Sequence, residues 1–102
     1  MGQELTLISA DWVVYMILCS DNSLYTGITT DLPRRFRQHC NAKGAKYFRG
    51  RQPIKVVYAE DGHNRSAASK REFAIKKLKP SEKILLIASE TNKIVKDQKD
   101  KL

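Results

Sequence analysis

The first 31 residues contain no lysine or arginine, and Pro33 to Ala59 contain no aspartate or glutamate. The acids of the first stretch are Glu4, Asp11, Asp21 and Asp31. The second carries Arg34, Arg35, Arg37, Lys43, Lys46, Arg49, Arg51 and Lys55, and the rest of the chain mixes both signs, for a net charge of +8. Eight positive charges with no negative one repel each other unless they meet a polyanion, and nucleic acid is the commonest. The bland alternative is a solvated basic surface that aids solubility. No apolar run approaches the roughly 20 residues needed to cross a bilayer, so no membrane partner is expected. Met1 to Asp11 lacks a basic region followed by an apolar core, so no signal peptide is expected. Cysteine is scarce, only Cys19 and Cys40, with no spacing of a metal knuckle or a disulfide framework. Both are expected as reduced core thiols in a cytoplasmic protein.

What remains is an ordinary globular composition, 41% hydrophobic and 29% charged over 102 residues, enough for one domain with its own core. Trp12 to Cys19 is a β-branched and aromatic run, read as a buried strand. Ser20 to Ser23 are turn residues, and Leu24 to Thr29 read as the second strand of a hairpin. Asp31 can cap a helix with Pro33 in its first turn. In that helix Leu32, Phe36 and Cys40 recur at four-residue steps and are expected to face the core. Asn41 to Gln52 is expected as a loop or short helical turn. Ile54 to Ala59 reads as a third strand, closed by Asp61-Gly62. Asn64 or Ser66 can cap a helix to about Leu78, with Ala67, Ala68, Ala74, Ile75 and Leu78 on one side. Pro80 opens a last helix with Ile84, Leu85 and Ala88 inward. The expected fold is α+β, a small three-stranded antiparallel sheet flanked by helices in the order β-β-α-β-α-α. Residues 1–11 form a lead, 12–91 the domain and 92–102 a charged tail expected to fray.

Several polar residues stand out on this frame. Tyr15 and Tyr25 lie on neighbouring strands of the hairpin, so their hydroxyls can converge at one sheet edge, although strand tyrosines are more often half-buried packing. Gly27 lets backbone or substrate approach closely, or permits a bulge. Arg35 and His39, at i and i+4, share a helix face. Each has a plain reading as a solvated surface residue, as does His63 in its turn. Glu72 sits beside Ala68 and Ile75 at the edge of an apolar stripe, where a lone carboxylate is costly unless paired. It is the best metal candidate, against a salt bridge to Arg71 or Lys76. Arg34, Arg37, Lys43, Lys46, Arg49 and Arg51, with Tyr47 and Phe48 among the loop bases, fit sequence-neutral contacts to a nucleic-acid backbone plus base stacking. Phe48 fits packing under the loop equally well.

The layout Val13-Val14-Tyr15, nine residues, Tyr25-Thr26-Gly27, then Arg35, His39 and the helix-borne Glu72 resembles the GIY-YIG nuclease domain. The stretch Tyr25 to Arg35, Lys43 to Lys46 and Arg71-Glu72 resemble its small stand-alone YhbQ-like branch, over roughly residues 12 to 88. The resemblance implies an endonuclease-like domain. Tyr15 helps activate the attacking water, Tyr25 positions it or the phosphate, and Arg35 clamps the scissile phosphate. His39 assists proton handling, and Glu72 holds one Mg²⁺ (or Mn²⁺). A tyrosine base needs its pKa pulled well below about 10 by a nearby cation. The implied partner is DNA, with RNA possible, and no small-molecule cofactor. Two positions depart from the family: Ile28 stands where many members have lysine, and no asparagine clearly completes the site, Asn92 lying late. These departures favour the rival reading, a nucleic-acid binding module that retains the nuclease fold without turnover. A protein–protein adaptor would need an exposed apolar patch, whereas the apolar residues here fit a core.

Overall fold

The structure, a computed structural model, describes residues 11–41 and 45–94. Strand β1 (Trp12–Cys19) pairs antiparallel with β2 (Leu24–Thr29) on one side and with β3 (Pro53–His63) on the other, giving the sheet order β2-β1-β3. Helix α1 (Leu32–Cys40) and a 3-10 turn (Lys46–Arg49) connect β2 to β3, and α2 (Arg65–Lys76) and α3 (Pro80–Ile87) follow. The order β-β-α-β-α-α is the expected one. Among the described residues no helix is long and apolar enough to cross a membrane.

The hairpin forms where its sequence directs. Asn22 takes a left-handed backbone (φ 69°), which Asn tolerates better than most residues, and the Asp21 carboxylate accepts from the Ser23 backbone N–H and hydroxyl. Asp31 caps α1 by accepting from the Arg34 N–H, and Asn64 caps α2 by accepting from the Ala67 N–H. Alternation along β1 divides the core in two. Tyr15, Ile17 and Cys19 pack with Phe48, Leu32 and Phe36, while Val14 and Met16 pack with Tyr58, Ala68 and Ile75. The sheet is therefore sandwiched, with α1 on one face and α2 and α3 on the other.

Several expectations need correction. The third strand does not close at Asp61-Gly62. Gly62 adopts a left-handed φ of 85°, and the register slips between Trp12/His63 and Val14/Glu60, so the glycine makes a bulge and the strand resumes at His63. In α1 the inward residue is His39 and Cys40 is exposed, so only Cys19 is a core thiol. Helix α2 ends at Lys76, with Ala68 and Ile75 buried but Ala74 exposed. In α3, Ile84 and Leu85 are 62% and 70% exposed, and Leu86 and Ile87 do the packing. With Phe73 also exposed, not every apolar residue fits the core.

The rotation of α3 follows from Asn92. Its amide donates to the Val57 and Ile87 carbonyls and accepts from the Ala59 and Ile94 N–H groups, and the Lys93 N–H adds a bond to the Ala59 carbonyl. This clip ties the chain after α3 onto β3, so the packed domain reaches at least Ile94. The N-terminal lead to residue 10 and the tail beyond 94 lie outside the described residues. Asn92→Ala removes both ends of the clip and strands backbone groups of β3. We expect a loss of about 3 kcal/mol, on the order of 10–20 °C in melting temperature, measured by thermal denaturation.

A buried ionic cluster joins β3 to α2. Glu60, 6% exposed, accepts from the Tyr58 hydroxyl, pairs with the Arg71 guanidinium at 2.8 Å, and meets the His63 ring at 2.9 Å. His63 is thus a partner of Glu60 and not a free surface residue. Burial alone would raise the Glu60 pKa, but hydrogen bonds from Arg71, Tyr58 and His63 outweigh it and hold the carboxyl below its ordinary value of 4.5. A carboxyl whose folded pKa lies below its unfolded one stabilises the fold above the unfolded value, and loses that contribution as pH falls through the folded one. The melting temperature should therefore fall steeply below about pH 4.5. Glu60→Gln should be less stable at neutral pH and show a flatter acid limb in the same pH series.

Candidate active site at the β2 edge

The hairpin register sets Tyr15 opposite Gly27 and Ile17 opposite Tyr25, so both tyrosines project from the same face of the sheet. Their ring centroids lie 6.2 Å apart. The missing side chain of Gly27 makes this possible: a Cβ there would sit 2.6 Å from the Tyr15 hydroxyl oxygen and 3.0 Å from Tyr25 Cε2. The glycine is required by the tyrosine lying across it.

Helix α1 supplies the next two residues. His39 Nε2 lies 2.9 Å from the Tyr15 hydroxyl, and the Ala45 N–H donates to Nδ1 at 3.4 Å. Both Tyr15 and His39 are essentially inaccessible, at 0% and 1%. Burial, aided by the Arg35 charge, lowers the His39 pKa to about 4, so the ring is neutral at pH 7. A neutral imidazole that accepts at Nδ1 carries its proton on Nε2, so His39 donates to Tyr15. Phe48 and Tyr25 close over the imidazole, with centroids at 4.5 and 5.2 Å.

Arg35 is half-buried, its guanidinium braced by a 2.9 Å bond to Gln38 Oε1. Burial and the neighbouring Tyr25 push the Tyr15 pKa well above its ordinary value, and the nearby Arg35 guanidinium only partly offsets them. The expectation of a depressed tyrosine pKa is therefore not met by the chain's own cations. Tyr25 is also raised by burial, with Lys76 and Arg35 pulling it down and Glu72 pushing it up. Arg35 of α1 and Glu72 and Lys76 of α2 thus act on the Tyr25 hydroxyl through their charge. Tyr15, Tyr25 and His39 are in direct contact, Arg35 lies one turn before His39 on α1, and Glu72 stands on α2 with Lys76 as its bonded partner.

Glu72 bonds Lys76 at 3.1 Å, the ion pair weighed from sequence, and its side chain stays 23% accessible. Among the described residues no three His, Cys, Asp or Glu side chains cluster as a metal cage. A single partly accessible carboxylate is a donor that Mg²⁺ can use, since that ion keeps several waters and takes few protein ligands. Asn92 is fully committed to its backbone clip and adds no ligand.

Of the basic residues, Arg34, Arg37, Lys46 and Arg49 are exposed, and Lys43 lies outside the described residues. Arg51 is engaged, paired with Asp21 at 2.9 Å and stacked 4.0 Å over Tyr47, which in turn braces Tyr25. Phe48, 4% exposed, packs beneath the loop. Sequence reasoning missed Gln38 and the reach of Lys76 to Tyr25. The i,i+3 spacing from Arg35 to Gln38 was the available signal for the first. The second depends on how α2 lies against β2.

The GIY-YIG catalytic domain matches residues 11–84, and the chain belongs to that family. Its similar relatives are UPF0213 proteins. It is 53% identical to UPF0213 protein DP2720 of Desulfotalea psychrophila, over 74% of this chain and 70% of that one. UPF0213 protein CPE1444 of Clostridium perfringens is 49% identical, over 78% and 86%. The solution structure of UPF0213 protein BH0048 from Bacillus halodurans superimposes with a TM-score of 0.51 at 37% identity, covering 79% of this chain and 86% of that one.

Proposed function

We propose that this protein is a Mg²⁺-dependent endonuclease that hydrolyses phosphodiester bonds in DNA, chosen by structure and not by sequence, in DNA repair or processing. The observation that carries the reading is the buried Tyr15 hydroxyl, held at 2.9 Å by neutral His39, with the Tyr25 ring 6.2 Å from its own. A hydroxyl so fixed suits orienting the more accessible Tyr25 beside it better than packing.

Arg35 would hold two oxygens of the scissile phosphate through its planar fork and stabilise the charge that develops on them. Tyr25, the more accessible of the two tyrosines, would face the attacking water. Tyr15 would bond the Tyr25 oxygen and favour its ionised form, with His39 fixing Tyr15. Tyr25 would first lose its proton to solvent, drawn by the Lys76 and Arg35 charges. The tyrosinate would then take the water proton as the new phosphorus–oxygen bond forms, while the departing oxygen takes a proton from solvent. Glu72 would hold Mg²⁺, whose charge neutralises phosphate oxygens and lowers the pKa of nearby groups. Arg34, Arg37, Lys46 and Arg49 would contact flanking phosphates, which read charge and leave base edges unread.

The test is a panel of labelled duplex, nicked, flapped and branched DNA, with matching RNA, incubated with Mg²⁺ or with EDTA. Cleavage at structural discontinuities regardless of sequence, faster on DNA than RNA and absent with EDTA, is expected. Salt-dependent binding to every substrate without cleavage in any divalent metal would favour the binding-module reading, to which Ile28 and the committed Asn92 lend weight.

A further inference from the structure

We propose that the groove beside Arg35 is a second nucleotide subsite, in which the indole of Trp12 stacks on the base next to the scissile phosphate while Arg34 and Arg65 hold that nucleotide's backbone. The proposal rests on the nuclease reading above and adds where the strand runs. An open groove of about 310 Å³ lies at the end of β2, lined by Trp12, Ile28, Asp31, Arg34, Arg35 and Gln38. Arg35 borders both this groove and the tyrosine site, so a strand with its scissile phosphate on Arg35 enters the groove with its next nucleotide. The two regions share the edge strand β2 but on opposite faces of the sheet, Tyr25 packing with the α1-side cluster and Ile28 and Trp12 with the other. The nucleic-acid strand therefore crosses the β2 edge between them.

The lining has the chemistry of a nucleotide site. Trp12 packs one side on the core and remains partly accessible. The Arg65 guanidinium stands over its ring at 5.4 Å, looser than the 4.0 Å of Arg51 over Tyr47. Arg34 and Arg65 are exposed, and among the described residues neither forms an ion pair. The groove's carboxylate, Asp31, is occupied in capping α1 through the Arg34 N–H at 3.2 Å. The indole face over which Arg65 stands fits a planar base once that exposed guanidinium swings from the ring onto the nucleotide's phosphate, and any base has such a face. This keeps the site indifferent to sequence.

Trp12 is the only tryptophan in the chain, so its emission reports on this groove alone. A short fluorescein-labelled single-stranded DNA is titrated in EDTA at low salt, following label anisotropy and tryptophan emission together. Anisotropy should rise and Trp12 emission should fall, both saturating at the same concentration. A matched strand with abasic positions should bind with much less quenching. Trp12→Phe should bind within a few-fold of wild type, and Trp12→Leu about tenfold more weakly. Rising anisotropy with unchanged Trp12 emission, or equal quenching by the abasic strand, would overturn the subsite and leave the nuclease reading standing. If neither signal moves, both fall.

Discussion

Glu72→Ala should reduce magnesium-dependent cleavage by at least about a hundredfold while leaving the melting temperature within a few degrees of wild type. The two effects separate because Glu72 contributes little to the fold. Among the described residues its only ion pair is to Lys76, one turn away on the same helix, and such pairs contribute about 0.3–0.5 kcal/mol. DNA binding in EDTA should be unchanged or tighter, since Lys76 loses its carboxylate partner and faces the phosphates alone. Single-turnover cleavage, anisotropy and thermal melts on one preparation check all three. A variant with weaker binding and a much lower melting temperature would mean that Glu72 is a structural ion pair.

Gly27→Ala should damage stability and activity together. The added Cβ would lie 2.6 Å from the Tyr15 oxygen and 2.8 Å from its Cζ, and Tyr15 is fully buried with nowhere to swing. Overpacking of this kind costs about 1–3 kcal/mol. The ring must shift off Gly27, which breaks the 2.9 Å contact with His39, so cleavage should fall about as far as in Tyr15→Phe, on the order of a hundredfold. Adding Tyr15→Phe to Gly27→Ala removes the closest contact, so urea denaturation should show part of the stability returning without any return of activity. If Gly27→Ala is as stable and active as wild type, Tyr15 does not lie where the site requires it.

The hairpin, the order of elements and the caps at Asp31 and Asn64 were legible because each rests on local chemistry: a β-branched run, turn residues, a side chain that bonds its own helix. The convergence of Tyr15, Tyr25 and Arg35 was legible through the spacing of the tyrosine motifs and the resemblance they carry. What stayed hidden depends on how elements lie across one another. The stripe of α1 pointed to Cys40, but Phe48 and Tyr25 close over His39 and turn it inward. The period of α3 pointed to Ile84 and Leu85, but the Asn92 clip sets the helix with Leu86 and Ile87 on the sheet. Asp61-Gly62 reads as the close of a strand ending at Ala59, yet the strand runs on through a bulge at Gly62 and carries Glu60 into a buried cluster with Arg71 from another element. The high Tyr15 pKa was equally beyond sequence, since it arises from complete burial.

The most direct test of the account is the nicking of supercoiled DNA as Mg²⁺ is titrated, with wild type beside Tyr15→Phe and Arg35→Ala purified identically. The account predicts metal-dependent nicking by wild type, lost on chelation and reduced at least about a hundredfold in both variants, with all three proteins still binding DNA. Equal nicking by all three, or binding by wild type without nicking at any metal concentration, would contradict it.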